Sequence, residues 1–336
     1  MRARFLLLAT VTSLAPISAH ADASKAWTAA KANLPADATI VVGVNMGAIA
    51  KSQIFAEMFP KLVASNPDLK DFLDLAKTSC GIDPITAVAG AIVATDADKK
   101  GGVVYLALNG LDQPKLASCA DKLAKAKGKG DEKITFKKDG NIVEVTSTKQ
   151  TKPVYYGWIG SDVIVIPKDG DKVGLQRWMS GKGFSGSALG KAVGKVNTNA
   201  AAWGATTESK SLQPGMNMKG GYGTLDVAKG NITVGAHVTL GSPAEATQAA
   251  TEANKQLGQV KASGQLPAMF NSLLGSLKVT SAADELVIGA SAPEKDVLAV
   301  AQMAMAMGAF GNSTPAKQPP PPPPHTKSPG LGGATP

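Results

Sequence analysis

The apolar and polar positions along the chain repeat one unit. Two short runs with period-two alternation are followed by a run with helical spacing, and the helix opens with a polar residue and a proline. The paired runs fall at 88–95 with 102–109, 154–159 with 163–167, 222–227 with 232–240, and 277–282 with 285–291. Their helices are expected from Asp112, up to about Met179, from Ser242 and from Pro293. Ser242 and Glu245 have the spacing of a capping box, and Gly160 can supply the positive φ of a tight hairpin turn. A further hairpin, 134–137 with 142–147 about Asp139 and Gly140, has no helix of its own.

Upstream of these units, 37–45 reads as a strand, and Ile49, Phe55, Met58, Phe59 and Leu62 recur at helical spacing. A better-marked helix follows. Asn66 and Pro67 supply a cap and a first-turn proline, and Leu69, Phe72, Leu73 and Ala76 share one face. Gly81 can take the left-handed stop after Cys80, and Pro84 forbids continuation.

Hairpins pair antiparallel, and every apolar helix face needs a partner layer. The expected fold is therefore α+β: antiparallel sheet built from hairpin–helix units, with helices packed on one face, in two related lobes. The lobes are placed at 22–180 and 200–311, with a Gly-, Ser- and Lys-rich join at 181–199. Residues 1–21 read as a secretory signal, with Arg2 and Arg4 before an apolar core and Ala19-His20-Ala21 as the cleavage site. That core is too short to span a bilayer. Residues 312–336 include the run Pro319 to Pro324, which favours extended polyproline II and reads as a disordered tail or spacer. The mature chain is thus expected to be exported and soluble, in the periplasm or outside the cell.

Cys80 and Cys119 are the two cysteines. On the helix from Asp112, Leu116, Cys119, Ala120 and Leu123 share a face, with Lys122, Lys125 and Lys129 expected to point away from it. Cys80 ends a helix whose apolar face also turns inward. Two core-facing thiols in an exported chain read as a disulfide, with two free buried thiols as the alternative. Closing that loop is worth about 4 kcal/mol in the chain-entropy model. A catalytic redox pair normally has Cys-x-x-Cys spacing, and structural zinc wants four ligands, so neither fits.

The formal charge is +9, and residues 115–152 hold ten lysines against five carboxylates. A face including Lys122, Lys125, Lys129, Lys137 and Lys138 can attract an anionic envelope polymer, although a simply solvated face is the more ordinary explanation of such a run. Nucleic acid is not expected, because Arg177 is the one arginine beyond the signal, and guanidinium is the preferred reader of phosphate and guanine.

No catalytic constellation stands out. His237 is the one histidine between the signal and the tail, and a sheet position explains it better than a role as base. No Gly-x-Ser-x-Gly elbow is present. Gly181, Gly183 and Gly186 match Gly-x-Gly-x-x-Gly but follow a helix, not a strand, so no phosphate cradle is expected. Met303, Met305 and Met307 alternate, as Cu(I) ligands can, yet residues two apart on a helix do not converge. Packing is the better reading.

Leu34-Pro35-Ala36-Asp37-Ala38, then Cys80-Gly81-Ile82-Asp83-Pro84, then Cys119, resembles a group of exported bacterial envelope proteins of myxobacterial type whose function is unknown. The resemblance covers mainly residues 34–125. It implies export, an α+β fold and a matching cysteine pair, and it transfers no catalytic residues. The expected function is non-enzymatic binding, without a cofactor, of a protein partner or an anionic surface polymer. The alternative is carriage of a hydrophobic small molecule or lipid between sheet and helices, for which the thin face of Ala246, Ala249, Ala250 and Ala253 would leave room.

Overall fold

The computed structural model describes residues 23–97, 101–127, 133–213, 216–263 and 270–306. The expected signal, Lys129, Met307 and the proline-rich tail lie outside them. The strands are β1 (Ala38–Asn45), β2 (Val88–Asp96), β3 (Gly102–Leu108), β4 (Ile134–Asp139), β5 (Ile142–Ser147), β6 (Val154–Ile159), β7 (Val163–Pro167), β8 (Ala202–Thr206), β9 (Lys210–Gln213), β10 (Met216–Met218), β11 (Gly220–Ala228), β12 (Asn231–Thr239), β13 (Lys278–Ala282) and β14 (Glu285–Pro293). The helices are α1 (Ser24–Asn33), α2 (Met46–Ile49), α3 (Gln53–Ser65), α4 (Pro67–Cys80), α5 (Pro84–Ala87), α6 (Gln113–Lys127), α7 (Lys172–Met179), α8 (Ala188–Val193), α9 (Pro243–Ser263), α10 (Asn271–Ser276) and α11 (Glu294–Ala306).

The fold is α+β, as the pattern predicts. All strands but the small β9–β10 hairpin join one antiparallel sheet of 12 strands, in the order β13-β14-β12-β11-β8-β1-β2-β3-β7-β6-β5-β4. The two halves meet where β1 pairs with β8. Counted outward from that seam, the first half runs β1-β2-β3-β7-β6 and the second β8-β11-β12-β14-β13. In each the successive strands are first, second, third, fifth and fourth, so the halves share a topology, with β5 and β4 added beyond the first. The join is a packed element: Phe184, Leu189 and Val193 are core residues, and α8 lies against β1, β8 and β11.

Cross-strand partners share a face of the sheet, and alternate residues change face. On the first face, Val41, Ile92, Val103, Tyr105, Val165 and Trp203 form the main core with α1, α7 and α8. Trp27 of α1 meets Trp203 and Phe184 edge-on, with ring centroids 4.9 and 5.9 Å away. The Tyr105 hydroxyl donates to the Trp178 carbonyl, which closes α7 onto the sheet. The second face carries α6 over Leu108, Val143, Trp158 and Ile164, and α9 over Val238 and Leu286. Helices therefore cover both faces of the sheet. Apolar periodicity specifies that a helix is covered but not which side it takes, and the expectation of one face came from treating each unit alone.

Local signals explain the ends. Asn66 caps α4 by accepting from the Leu69 amide at 3.1 Å, and Gly81 stops it at φ +68°. Ser242 accepts from the Glu245 amide at 3.2 Å, opening α9. Ala246 and Ala249 belong to the second-face core, Ala250 is also buried and Ala253 is half-buried, so this thin face packs α9 close to the sheet.

Gly43 makes the seam possible. A Cβ there would stand 2.2 Å from the Trp203 ring. Gly43→Ala should therefore push the indole off β1 and destabilise the chain by about 2 kcal/mol, read as a lower urea midpoint with an unchanged m-value. Unaltered stability would show that the ring does not need this gap.

Candidate functional site

Among the described residues, three places stand out for exposure and chemistry. The first is the middle of the second face. One row of cross-strand neighbours runs Ile166, Val104, Val93, Val42, Gly204, Gly223, Ala236, Ile288 and Val279, through strands β7 to β13. The next row runs Ile164, Leu106, Ala91, Val44, Ala202, Leu225, Val234 and Ala290. Neither row holds a polar side chain. The helices of this face cover its flanks, and between them Val42 (41%), Val93 (42%), Ile166 (37%) and Val234 (38%) stay exposed. This is an apolar floor.

A strap of two helices packs onto α6 of this face at its far end. It starts at α3, whose main packing partners are α11 and α4, and ends with α4 against α5 and α6. It thus connects a helix of the second half to a helix of the first. Both ends are pinned. At the start, the buried Glu294 carboxylate of α11 accepts from the Gln53 amide at 2.6 Å, placing negative charge at the helix N-terminus. At the far end, Cys80 of α4 and Cys119 of α6 form a disulfide with a Cα–Cα distance of 5.1 Å. Between the pins α3 buries no residue fully, and Leu62 (51%) and Phe72 (43%) are largely exposed. Phe55 and Phe59 stack at 4.7 Å.

The second place is a polar cluster on the first face of the second half. Glu285, at the start of β14, accepts from Lys195 Nζ at 2.8 Å and Tyr222 Oη at 3.0 Å, and lies 3.0 Å from His237 Nδ1. His237 and Tyr222, opposite one another on β12 and β11, stack at 4.5 Å. Lys195 Nζ lies 5.4 Å from the tyrosine ring centre. Burial alone would push the Glu285 carboxyl up, but hydrogen bonds from Lys195, His237 and Tyr222 together hold it below the usual range. His237 is therefore a partnered sheet residue. Among the described residues, no group of three or more His, Cys, Asp or Glu is arranged to hold a metal ion.

The third place is a cleft of about 500 Å³ beside the disulfide, lined by both cysteines, Gly81, Leu111, Lys115 and Lys122 among others. Lys122 was expected to turn away from Cys119 and instead shares this cleft with it, because residues three apart are neighbours on a helix. Lys125 pairs with Asp121 at 2.8 Å. Lys137 and Lys138 are consecutive on β4 and so point to opposite faces. Lys129 lies outside the described residues, and the other four do not share one face. Lysines on an edge strand such as β4 also guard it against pairing with another chain.

Met303 lies half-buried on α11. No helix among the described residues is long and apolar enough to cross a membrane. The apolar floor and the Glu285 cluster were missed in the sequence, since both arise from strand order. The alternation of Val42 with Val44 and of Val93 with Ala91 was the available trace.

Neither a protein-family model nor a curated protein matches the chain. Among solved structures it is similar to TP0453. Crystal form III matches over 82% of this chain and 97% of that one, with 8% identity and a TM-score of 0.45. Form I matches over 82% and 96%, with 8% identity and a TM-score of 0.42.

The depressed Glu285 carboxyl contributes stability at neutral pH that is lost as pH falls through its folded-state value. Glu285→Gln should lower stability at pH 7 by about 1–2 kcal/mol. It should also flatten the acid limb of stability against pH, measured by urea unfolding from pH 7 to 3. An unchanged acid limb would mean that the cluster carries no linked proton.

Proposed function

We propose that this protein is an exported, non-enzymatic carrier that holds a hydrophobic molecule, such as one with an alkyl chain, between the strap and the apolar floor. The observation carrying the reading is the pair of all-apolar rows with four β-branched side chains left exposed. Covering the exposed parts of those four is worth roughly 6 kcal/mol by area, which is a standing driving force for an apolar occupant. The glycines in the first row keep the floor smooth, and the strap, whose far end packs on α6 of the same face, offers Leu62, Phe72 and the Phe55–Phe59 stack as its apolar positions. A strap pinned at both ends favours a small or flexible occupant over a folded protein. The short resemblance to exported envelope proteins and the presence of a disulfide support an oxidising compartment outside the cytoplasm.

Anionic-polymer binding, the earlier expectation, has less support, since Lys137 and Lys138 point apart and Lys125 is paired.

The test is native mass spectrometry of the chain purified from an oxidising cell envelope, beside Val93→Glu. The substitution sets a carboxylate into an exposed floor position, so the fold tolerates it while an apolar ligand does not. The wild type should carry an adduct that leaves on denaturation, and the variant should retain less than about a tenth of it. A bare wild-type chain, or equal occupancy in the variant, would overturn the reading.

A further inference from the structure

The staple between α4 and α6 has a second property. Both of its cysteines line an open cleft, with Cys119 itself nearly buried and Cys80 partly exposed. A structural disulfide sealed in a core is reached only by unfolding. This one is approached from the side of Cys80.

The helix carrying Cys119 adds the relevant charge. Lys115, Cys119 and Lys122 stand at i, i+4 and i+7, so the two lysines flank the cysteine by one turn on either side, and both line the cleft, where the Lys115 ammonium donates to the Gly110 carbonyl at 3.0 Å. Neighbouring lysines favour the thiolate form of a cysteine and make it a better leaving group in thiol–disulfide exchange. Lys125, turned toward Asp121, does not line the cleft.

We infer that the cleft is a thiol–disulfide exchange site at which an external dithiol reductant opens Cys80–Cys119 while the sheet stays folded, releasing one end of the α3–α4 strap. One thiolate of the reductant attacks Cys80 Sγ, the Cys80–Cys119 bond breaks, and the electron pair leaves on Cys119 Sγ. The reductant's second thiolate then attacks its own first sulfur in the mixed disulfide, expelling Cys80 as thiolate. The reductant is oxidised to its disulfide, and the two cysteines take up the two protons it gave up.

The consequence is local because α4 is otherwise held mainly by α3, α5 and α6, with Ala76 its one fully buried residue. The sheet keeps its own cores on both faces. The site rests on the cleft, its two lysines and the cysteines, whatever the apolar floor holds.

The oxidised chain is incubated with dithiothreitol under native conditions, quenched with an alkylating agent and followed by mass, alongside Lys115→Gln with Lys122→Gln and, as control, Lys125→Gln. Reduction should be first order in dithiothreitol, slower by roughly threefold in the double variant, and unchanged in the control. Hydrogen exchange of the reduced chain should quicken across 53–80 while β1, β2 and β3 stay protected. A rate independent of dithiothreitol would mean reduction waits for global unfolding and would overturn the proposal. So would a double variant reduced at the wild-type rate, or loss of protection throughout the sheet.

Discussion

Strand β1 is paired on both edges, with β2 from its own half and β8 from the other, and the molecule's organisation depends on that. Two five-stranded units of the same strand order would otherwise each present an edge, with unpaired backbone groups that invite aggregation. Pairing across the seam satisfies those groups and makes the two halves one surface. It also sets register. Val42 opposite both Val93 and Gly204 is what carries an apolar row from one half into the other without a break. Gly43, on the alternate face, lets Trp203 lie over the same strand and fill the core shared by α1 and α8.

With the sheet continuous, its two faces divide the work. The first face supplies the main core and, beyond it, a polar cluster in which Glu285 gathers a lysine, a histidine and a tyrosine. The second face is covered at its flanks by α6, α9 and α11 and left open at its centre. The strap belongs to this face, and its attachment is of two chemical kinds. One end is held by a buried carboxylate at a helix N-terminus, the other by a covalent bond. Neither end depends on deep burial of the strap's own residues, which is why its apolar positions remain available.

Much of this was legible in the sequence, because local rules govern it. The hairpins at 154–159 with 163–167 are reproduced residue for residue as β6 and β7. The caps at Asn66, Gly81 and Ser242 act as their chemistry dictates. Cys80 and Cys119 pair, as expected of two core-facing thiols with no third cysteine to compete. The illegible part was non-local. Which helix takes which face, whether two halves share one sheet, and that Val42, Val93, Ile166 and Val234 end on one exposed surface all follow from strand order, which period-two alternation does not encode. The short β8 and the packed α8 were lost among the small residues of 181–206, where Gly and Ser imitate a linker. Lys122 shows the finer limit: its angle from Cys119 on a helical wheel is small enough to share a cleft with it.

The central claim is that an apolar molecule sits between the strap and the floor. Methyl-resolved NMR of the Ile-, Leu- and Val-labelled oxidised chain, titrated with hydrophobic extract from a cell envelope, tests it most directly. The account predicts shifts at Val42, Val93, Ile166 and Val234 of the floor together with Leu62 and Leu69 of the strap, while Val103 and Val165 on the opposite face stay fixed. Shifts confined to the opposite face, or none at any extract concentration, would contradict it.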